Sequence, residues 1–77
     1  MRNKISRYEE NQVDRFLYDL YLLWGGNLDE DMCIGEGWIV YLEGREKYQY
    51  DIGDAEYWEY LRTNVKNIIY GFKKNKK

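Results

Sequence analysis

Asn27, Asp29 and Asp31 set three oxygen-bearing side chains at alternate positions within the stretch GNLDEDMCIGEG. That is the spacing at which an EF-hand loop presents its first calcium ligands, but the loop also needs glycine at position six and a bidentate glutamate at position twelve. Counted from Asn27, those positions hold Met32 and Trp38, so no calcium site is expected. The same stretch carries the chain's single cysteine, Cys33. A reactive thiol needs a lowered pKa, from nearby positive charge, a helix N-terminus or a second cysteine. Cys33 has Asp31 and Glu36 as charged neighbours, which favour the protonated thiol, with Met32 and Ile34 beside it. It reads as a small packed residue. General acid–base chemistry has fourteen carboxylates to draw on but no histidine, and no glycine-rich phosphate loop or metal motif accompanies them. Neither catalysis, a metal nor a cofactor is expected.

The stretch YQYDIGDAEYWEY, residues 48 to 60, is more informative. It interleaves Tyr48, Tyr50, Tyr57, Trp58 and Tyr60 with Asp51, Asp54, Glu56 and Glu59. Nine tyrosines are too many for one small core, since each hydroxyl wants a partner or water. Some of Tyr18, Tyr21, Tyr41, Tyr57 and Tyr60 are therefore expected at the surface. Exposed tyrosines are frequent interface hot spots, and carboxylates around them steer a domain toward a basic partner.

The charge is segregated along the chain. Residues 1 to 7 carry Arg2, Lys4 and Arg7 (+3), and residues 8 to 60 carry all fourteen acids against Arg15, Arg45 and Lys47 (−11). Residues 61 to 77 carry Arg62, Lys66, Lys73, Lys74, Lys76 and Lys77 (+6), for a net −2. Basic ends flank an acidic body. The ends could touch phosphates non-specifically, but the acidic body repels nucleic acid and no helix places Arg, Asn or Gln to read bases. Direct nucleic-acid binding is not expected.

Seventy-seven residues make a single domain, 1–77. Such a chain buries roughly 60% of the surface its unfolded form exposes, so its stability is small, and dimerisation is a staple left open to it. No apolar run approaches the ~20 residues that span a bilayer, and the opening MRNKISRYEEN lacks a signal-peptide core. One cysteine suits a reducing compartment. A cytoplasmic protein is expected. Abundant Lys, Asn, Ile and Tyr suggest an AT-rich coding sequence, as in low-GC bacteria and their phages.

The elements that would hold these residues follow from pattern. Ser6 to Glu9, SRYE, fits a capping box, with the glutamate reaching back to the cap. Val13, Phe16, Leu17, Leu20, Leu23 and Trp24 form a helical stripe ended by Gly25-Gly26. Trp38 to Leu42 is dense in strand formers, Lys47 to Ile52 alternates strictly, and EGRE between them reads as a hairpin loop. Met32-Cys33-Ile34 offers a short third strand. A second helix is expected from Asp54 as N-cap, with Trp58, Leu61, Val65, Ile68 and Phe72 as its seam, widened by Ile69. The order α-β-β-α predicts an α+β domain, two helices covering one face of a small antiparallel hairpin or three-stranded sheet, with residues 1–5 and 73–77 frayed.

The function expected is that of a small non-enzymatic protein that binds another protein through an acidic, aromatic-rich surface made of Asp29, Glu30, Asp31, Glu36, Asp51, Asp54, Glu56, Tyr57, Glu59 and Tyr60. The acids would mimic phosphates and the tyrosines would pack against a host DNA-processing protein, such as a replication factor or a defence nuclease. In size and charge style the chain resembles the small phage-encoded inhibitors of such proteins; the likeness is carried by no motif. The alternatives are a nucleic-acid-binding or regulatory protein that uses its basic termini, and a self-assembling dimer of structural role.

Overall fold

The computed structural model describes residues 5–75, with Asn75 described by its backbone only. The chain forms three helices, α1 (Arg7–Leu20), α2 (Glu30–Lys47) and α3 (Ala55–Asn75), and a π-helical turn, Tyr21–Gly25, continues α1. The described residues contain no strand. This corrects the α+β expectation. Met32-Cys33-Ile34 lies in the first turns of α2, while Trp38 to Leu42 and the supposed hairpin loop EGRE continue the same helix. None of the described helices is long and apolar enough to cross a membrane.

The contacts define an up-down-up bundle. Glu9 near the start of α1 meets Arg45 near the end of α2, and Leu17 lies on Gly37, so α1 and α2 run antiparallel. Tyr57 at the start of α3 lies on Tyr41 and Gly44 toward the end of α2, so these two also run antiparallel. Phe16 packs edge-on to Trp58, and Trp24 meets Arg62 and Lys66, which sets α1 parallel to α3. The bundle measures 42 × 21 × 21 Å. Residues 26–29 connect α1 to α2, and residues 48–54 connect α2 to α3, lengths usual for neighbouring helices.

α1 begins as its sequence implies. Ser6 caps it, its Oγ accepting from the Glu9 amide at 3.1 Å. The second half of the capping box is not made. The Glu9 carboxylate instead crosses to α2, where it accepts from the Tyr41 hydroxyl and from Arg45 Nη1 at 2.8 Å. Val13, Leu17 and Leu20 are buried, but Leu23 is 64% exposed. The π-helical turn explains the difference: its wider, i→i+5 turn takes in one extra residue and rotates Leu23 out of the stripe. Within that turn Tyr21 lies across Gly25, where an added Cβ would stand 2.3 Å from the ring. The Tyr21 hydroxyl donates to the Leu28 carbonyl at 2.8 Å and ties down the connection. Gly26, at φ +60, then reverses the chain.

α2 starts at the acidic stretch. Asp29 is its N-cap, accepting from the Asp31 amide at 3.0 Å, and Glu30 and Asp31 occupy the first turn, where the helix dipole favours them. The buried positions of α2 are Cys33, Gly37, Val40, Tyr41 and Gly44. They follow helical spacing, but two of the five have no side chain, while Met32, Ile39 and Leu42 on the opposite face are exposed. The apolar pattern therefore reads inside out, and the local density of strand formers dominates it. Strand propensity is largely a packing preference, which a helix with suitable neighbours overrides. α2 ends at Lys47, and Gln49, at φ 57, breaks the alternation expected of a strand.

The two glycines are the points of closest helix approach. A Cβ at Gly37 would meet Leu17 Cδ2 at 2.6 Å, and one at Gly44 would meet the Tyr57 ring at 2.7 Å and the Tyr60 ring at 3.0 Å. α3 then packs through Tyr57, Leu61, Val65 and Ile69, all buried, with Trp58, Ile68 and Phe72 partly buried at the edges. The centre of its seam thus lies on Tyr57 rather than Trp58. Lys73, Lys74 and Asn75 are helical and Ile5 packs partly against the core; residues 1–4, 76 and 77, also expected to fray, lie outside the described residues.

These contacts separate the glycines of α2 by role. Gly44→Ala should cost about 1–3 kcal/mol, because the Tyr57 ring it meets is rigid and enclosed. At Gly35 an added Cβ would meet nothing within 4 Å. Gly35→Ala is therefore expected to add about 0.5–1 kcal/mol through helix propensity. Urea unfolding followed by circular dichroism measures both, and equal signs for the two variants would contradict the packing described.

Candidate functional site

A chain of five tyrosines runs from the core to one end of the bundle, in the space that Gly44 leaves open. Tyr41 and Tyr57 stack face to face, with centroids 4.5 Å apart and planes 13° from parallel. Both are buried. Tyr50 leans on Tyr57 at 5.1 Å and on Tyr60 at 5.5 Å, and Tyr48, 56% exposed, closes the chain at 5.5 Å from Tyr60. The buried hydroxyls are satisfied: Tyr41 donates to Glu9 and Tyr57 donates to the Tyr41 carbonyl. Burial pushes both phenols well above the ordinary tyrosine range, and for Tyr41 the hydrogen bond to Glu9 adds to that. Tyr60 is raised as well, first by burial and then by the charges of Tyr48 and Glu43.

Acids surround the outer rings. Glu56 and Glu59 line an open groove with Tyr50, Tyr60, Thr63 and Asn64. Asn64 braces the floor of this region by donating from Nδ2 to the Tyr60 carbonyl at 2.8 Å. Asp51 and Asp54 sit in the connection before α3, and each shapes it. Asp54 Oδ2 accepts from the Asp51 amide at 2.9 Å and Asp51 Oδ1 from the Ile52 amide at 3.0 Å. Asp54 thus occupies the N-cap position with its carboxylate turned back into the loop. Trp58 Nε1 donates to the Ile52 carbonyl at 3.1 Å and fixes the loop on α3.

The ten residues expected to form one surface are divided by the fold. Asp51, Asp54, Glu56, Glu59 and Tyr60 gather at the tyrosine end. Asp29, Glu30 and Asp31 are exposed at the start of α2, whose 18 residues put them about 27 Å along the axis from that end. That exceeds a Debye length of ~8 Å more than threefold, so the two groups act as separate charges. Glu36 is half-buried between them, on α2. Tyr57, at 1% exposure, is a core residue and presents no contact surface. Tyr48, Tyr50 and Glu43 belong to the site but were not among the ten. Their signal was present in the alternation of Tyr48 and Tyr50, which the structure does place side by side, with centroids 5.8 Å apart.

Cys33 is buried, and its thiol is pushed up by that burial and then by Asp29. Among the described residues no three acids or cysteines converge on a point that could hold a metal ion. The chain matches no protein-family model, no curated protein and no solved structure with which it was compared.

The raised phenols make stability sensitive to alkali. A group whose folded pKa lies above its unfolded value contributes fully below the unfolded pKa, here the ordinary 10.0, and loses its contribution as pH rises beyond it. Unfolding free energy should therefore fall steeply above pH 10, the reference value for both phenols. Absorbance titration should show a fraction of the nine tyrosines ionising only as the helices melt. Tyr41→Phe removes one such group and should flatten the alkaline fall; an unchanged slope would show that Tyr41 is not held neutral by the fold.

Proposed function

We propose that the chain is a non-enzymatic binding protein that docks a basic protein partner on its tyrosine end. The observation that carries this reading is the outer ring set, Tyr48, Tyr50 and Tyr60, edged by Glu43, Glu56 and Glu59 and continuous with a buried stack beneath it. Rings held by neighbours lose little freedom on binding, which is the property that makes tyrosine an effective anchor. Between Glu43 and Glu59 there are six acids against Arg45 and Lys47, and Arg45 is engaged by Glu9. A partner bringing arginine or lysine would find both a π face and a carboxylate in the groove. DNA-handling proteins, with their basic clefts, are the partner class this surface suits best, and inhibition by occupying such a cleft is the mechanism that follows. Phosphate mimicry is confined to the carboxylates of the tyrosine end, since Asp29, Glu30 and Asp31 face a different part of the surface.

Capture from a nuclease-treated bacterial lysate on the immobilised chain tests this. Basic proteins should be retained by the natural chain, released by salt, and lost with Glu56→Lys combined with Glu59→Lys. Tyr48→Ala, at an exposed position, should weaken retention about tenfold, the scale of one hot-spot residue. A retained set that is identical for the natural chain and both variants would sink the reading.

Self-association is a second reading, favoured by one observation: Met32, Ile39 and Leu42 are exposed along the outer face of α2 at spacings a helix partner could use. Sedimentation across a concentration series tests it. Ile39→Glu should shift the chain toward monomer, and a monomer at all concentrations excludes the reading.

A further inference from the structure

The acids and bases of α3 are divided along its length. Glu56 and Glu59 stand in its first turns, and from Arg62 onward every charged residue described is basic: Arg62, Lys66, Lys73 and Lys74. At about 100° per residue, Arg62, Lys66 and Lys73 fall within about 40° of one another on the helix surface, spread over about 16 Å of axis. All are exposed. Glu9–Arg45 is the ion pair among the described residues, and none of these four cations has a carboxylate partner there. Three of them lie instead against aromatic rings. Arg62 and Lys66 sit over Trp24 at 5.6 and 5.7 Å, and Lys66 and Lys73 over Tyr70 at 5.9 and 5.7 Å. The rings hold the cations in a row without neutralising them.

We propose that this outward face of α3 is a seat for the phosphate backbone of a nucleic acid. Along about 16 Å the three cations can each meet a phosphate of one strand. The cations are spaced along a line, and the exposed Tyr70, whose ring Lys66 and Lys73 flank, adds a hydroxyl suited to phosphate or sugar contact. No residue of the strip reads base edges, so the binding is independent of sequence. An anionic membrane is the weaker fit: interfacial helices bury an apolar face beside their basic one, and the apolar face of α3 is consumed by the core at Leu61, Val65 and Ile69. An acidic protein is a weaker fit too, because the rings that could anchor one, Trp24 and Tyr70, already lie under the strip's own cations. Asp29, Glu30 and Asp31 share this end of the bundle, and their field opposes the strip without pairing with it. The expectation of no nucleic-acid contact assumed that any DNA-facing surface would come from the acidic body. The fold instead gives the cations a helical face of their own.

The test is fluorescence anisotropy of a labelled single-stranded oligonucleotide and its duplex, titrated with the full chain over a range of salt. Binding to at least one is expected, with log affinity falling against log salt at a slope of about −2 to −3, the value for three neutralised phosphates. Lys66→Glu with Lys73→Glu should lower affinity about tenfold or more, and the milder Arg62→Gln with Lys73→Gln should reduce the slope. Asp31→Asn should raise affinity, and Glu56→Gln with Glu59→Gln should leave it equal or higher. Helix content by circular dichroism confirms that each variant is folded. No binding to either oligonucleotide at low salt overturns the proposal, as does binding that the lysine reversals leave unchanged. Tighter binding to phosphatidylserine vesicles than to either oligonucleotide also overturns it. The lysine variants leave the tyrosine end intact, so failure here is distinguishable from failure of the docking surface.

Discussion

Close approach of the flanking helices to α2 at Gly37 and Gly44 is the constraint from which the rest of the molecule follows. Leu17 fills the space at Gly37, and the Tyr57 and Tyr60 rings fill the space at Gly44. With a side chain at Gly44 the Tyr41–Tyr57 stack would have to open, and with it the hydrogen bond from Tyr57 to the Tyr41 carbonyl. A core this small has little tolerance for loose packing. It uses two large aromatic residues where a longer chain would spread several aliphatic ones. Each phenol then needs an acceptor, because an unsatisfied buried hydroxyl cancels most of what its ring gains by burial. Glu9 and a backbone carbonyl meet that need, and Glu9 also binds Arg45, so one carboxylate joins the start of α1 to the end of α2.

The same glycines explain why two of the three helices were legible and the middle one was not. α1 announces itself by the Ser6 cap and a 3.6-residue stripe, and α3 by a long seam whose centre was misplaced by a single residue. In both, the buried positions carry large apolar side chains, so periodicity and burial coincide. In α2 they separate, because Gly37 and Gly44 are buried through having no side chain, and Met32, Ile39 and Leu42 are exposed despite being apolar. Periodicity alone cannot distinguish a glycine that ends a helix from one that admits a neighbour. The information lies on the partner residues, Leu17 for Gly37 and Tyr57 for Gly44, far from either glycine along the chain. Leu23 was misplaced for a related reason: a π-helical turn changes phase by one residue, and no residue type marks it.

Charge shows the same gap between chain and space. Along the sequence the acids form one central block between basic ends. The up-down-up path folds that block in two, so that Asp29 to Asp31 stand at the end of the bundle where α3 finishes, and Asp51 to Glu59 stand at the end where α1 begins. The basic residues of α3 end up at the level of Trp24 and Gly26 rather than trailing from the domain. What was legible was the pairing of acids with tyrosines in residues 48 to 60, because these residues are close in sequence and remain close in space. What was not legible was any grouping that depends on which helix ends meet.

The tyrosine end is therefore an extension of the core. Tyr57 is enclosed, yet it supports Tyr50, which supports Tyr60, which supports Tyr48, and the last of these is the most exposed. A surface built this way is rigid for the same reason that the interior is, since each ring is held by the one below it. Its rigidity lowers the entropy lost when a partner binds. It would also tie the proposed docking to folding, because any change that loosens the stack at Gly44 or Tyr41 tilts the outer rings as well. The carboxylates do not share this dependence. Glu56 and Glu59 are carried by the backbone of α3 and keep their place while that helix persists. Under the proposed reading, long-range attraction of a basic partner and close packing against it would rest on different parts of the structure, and only the second would be coupled to the integrity of the core.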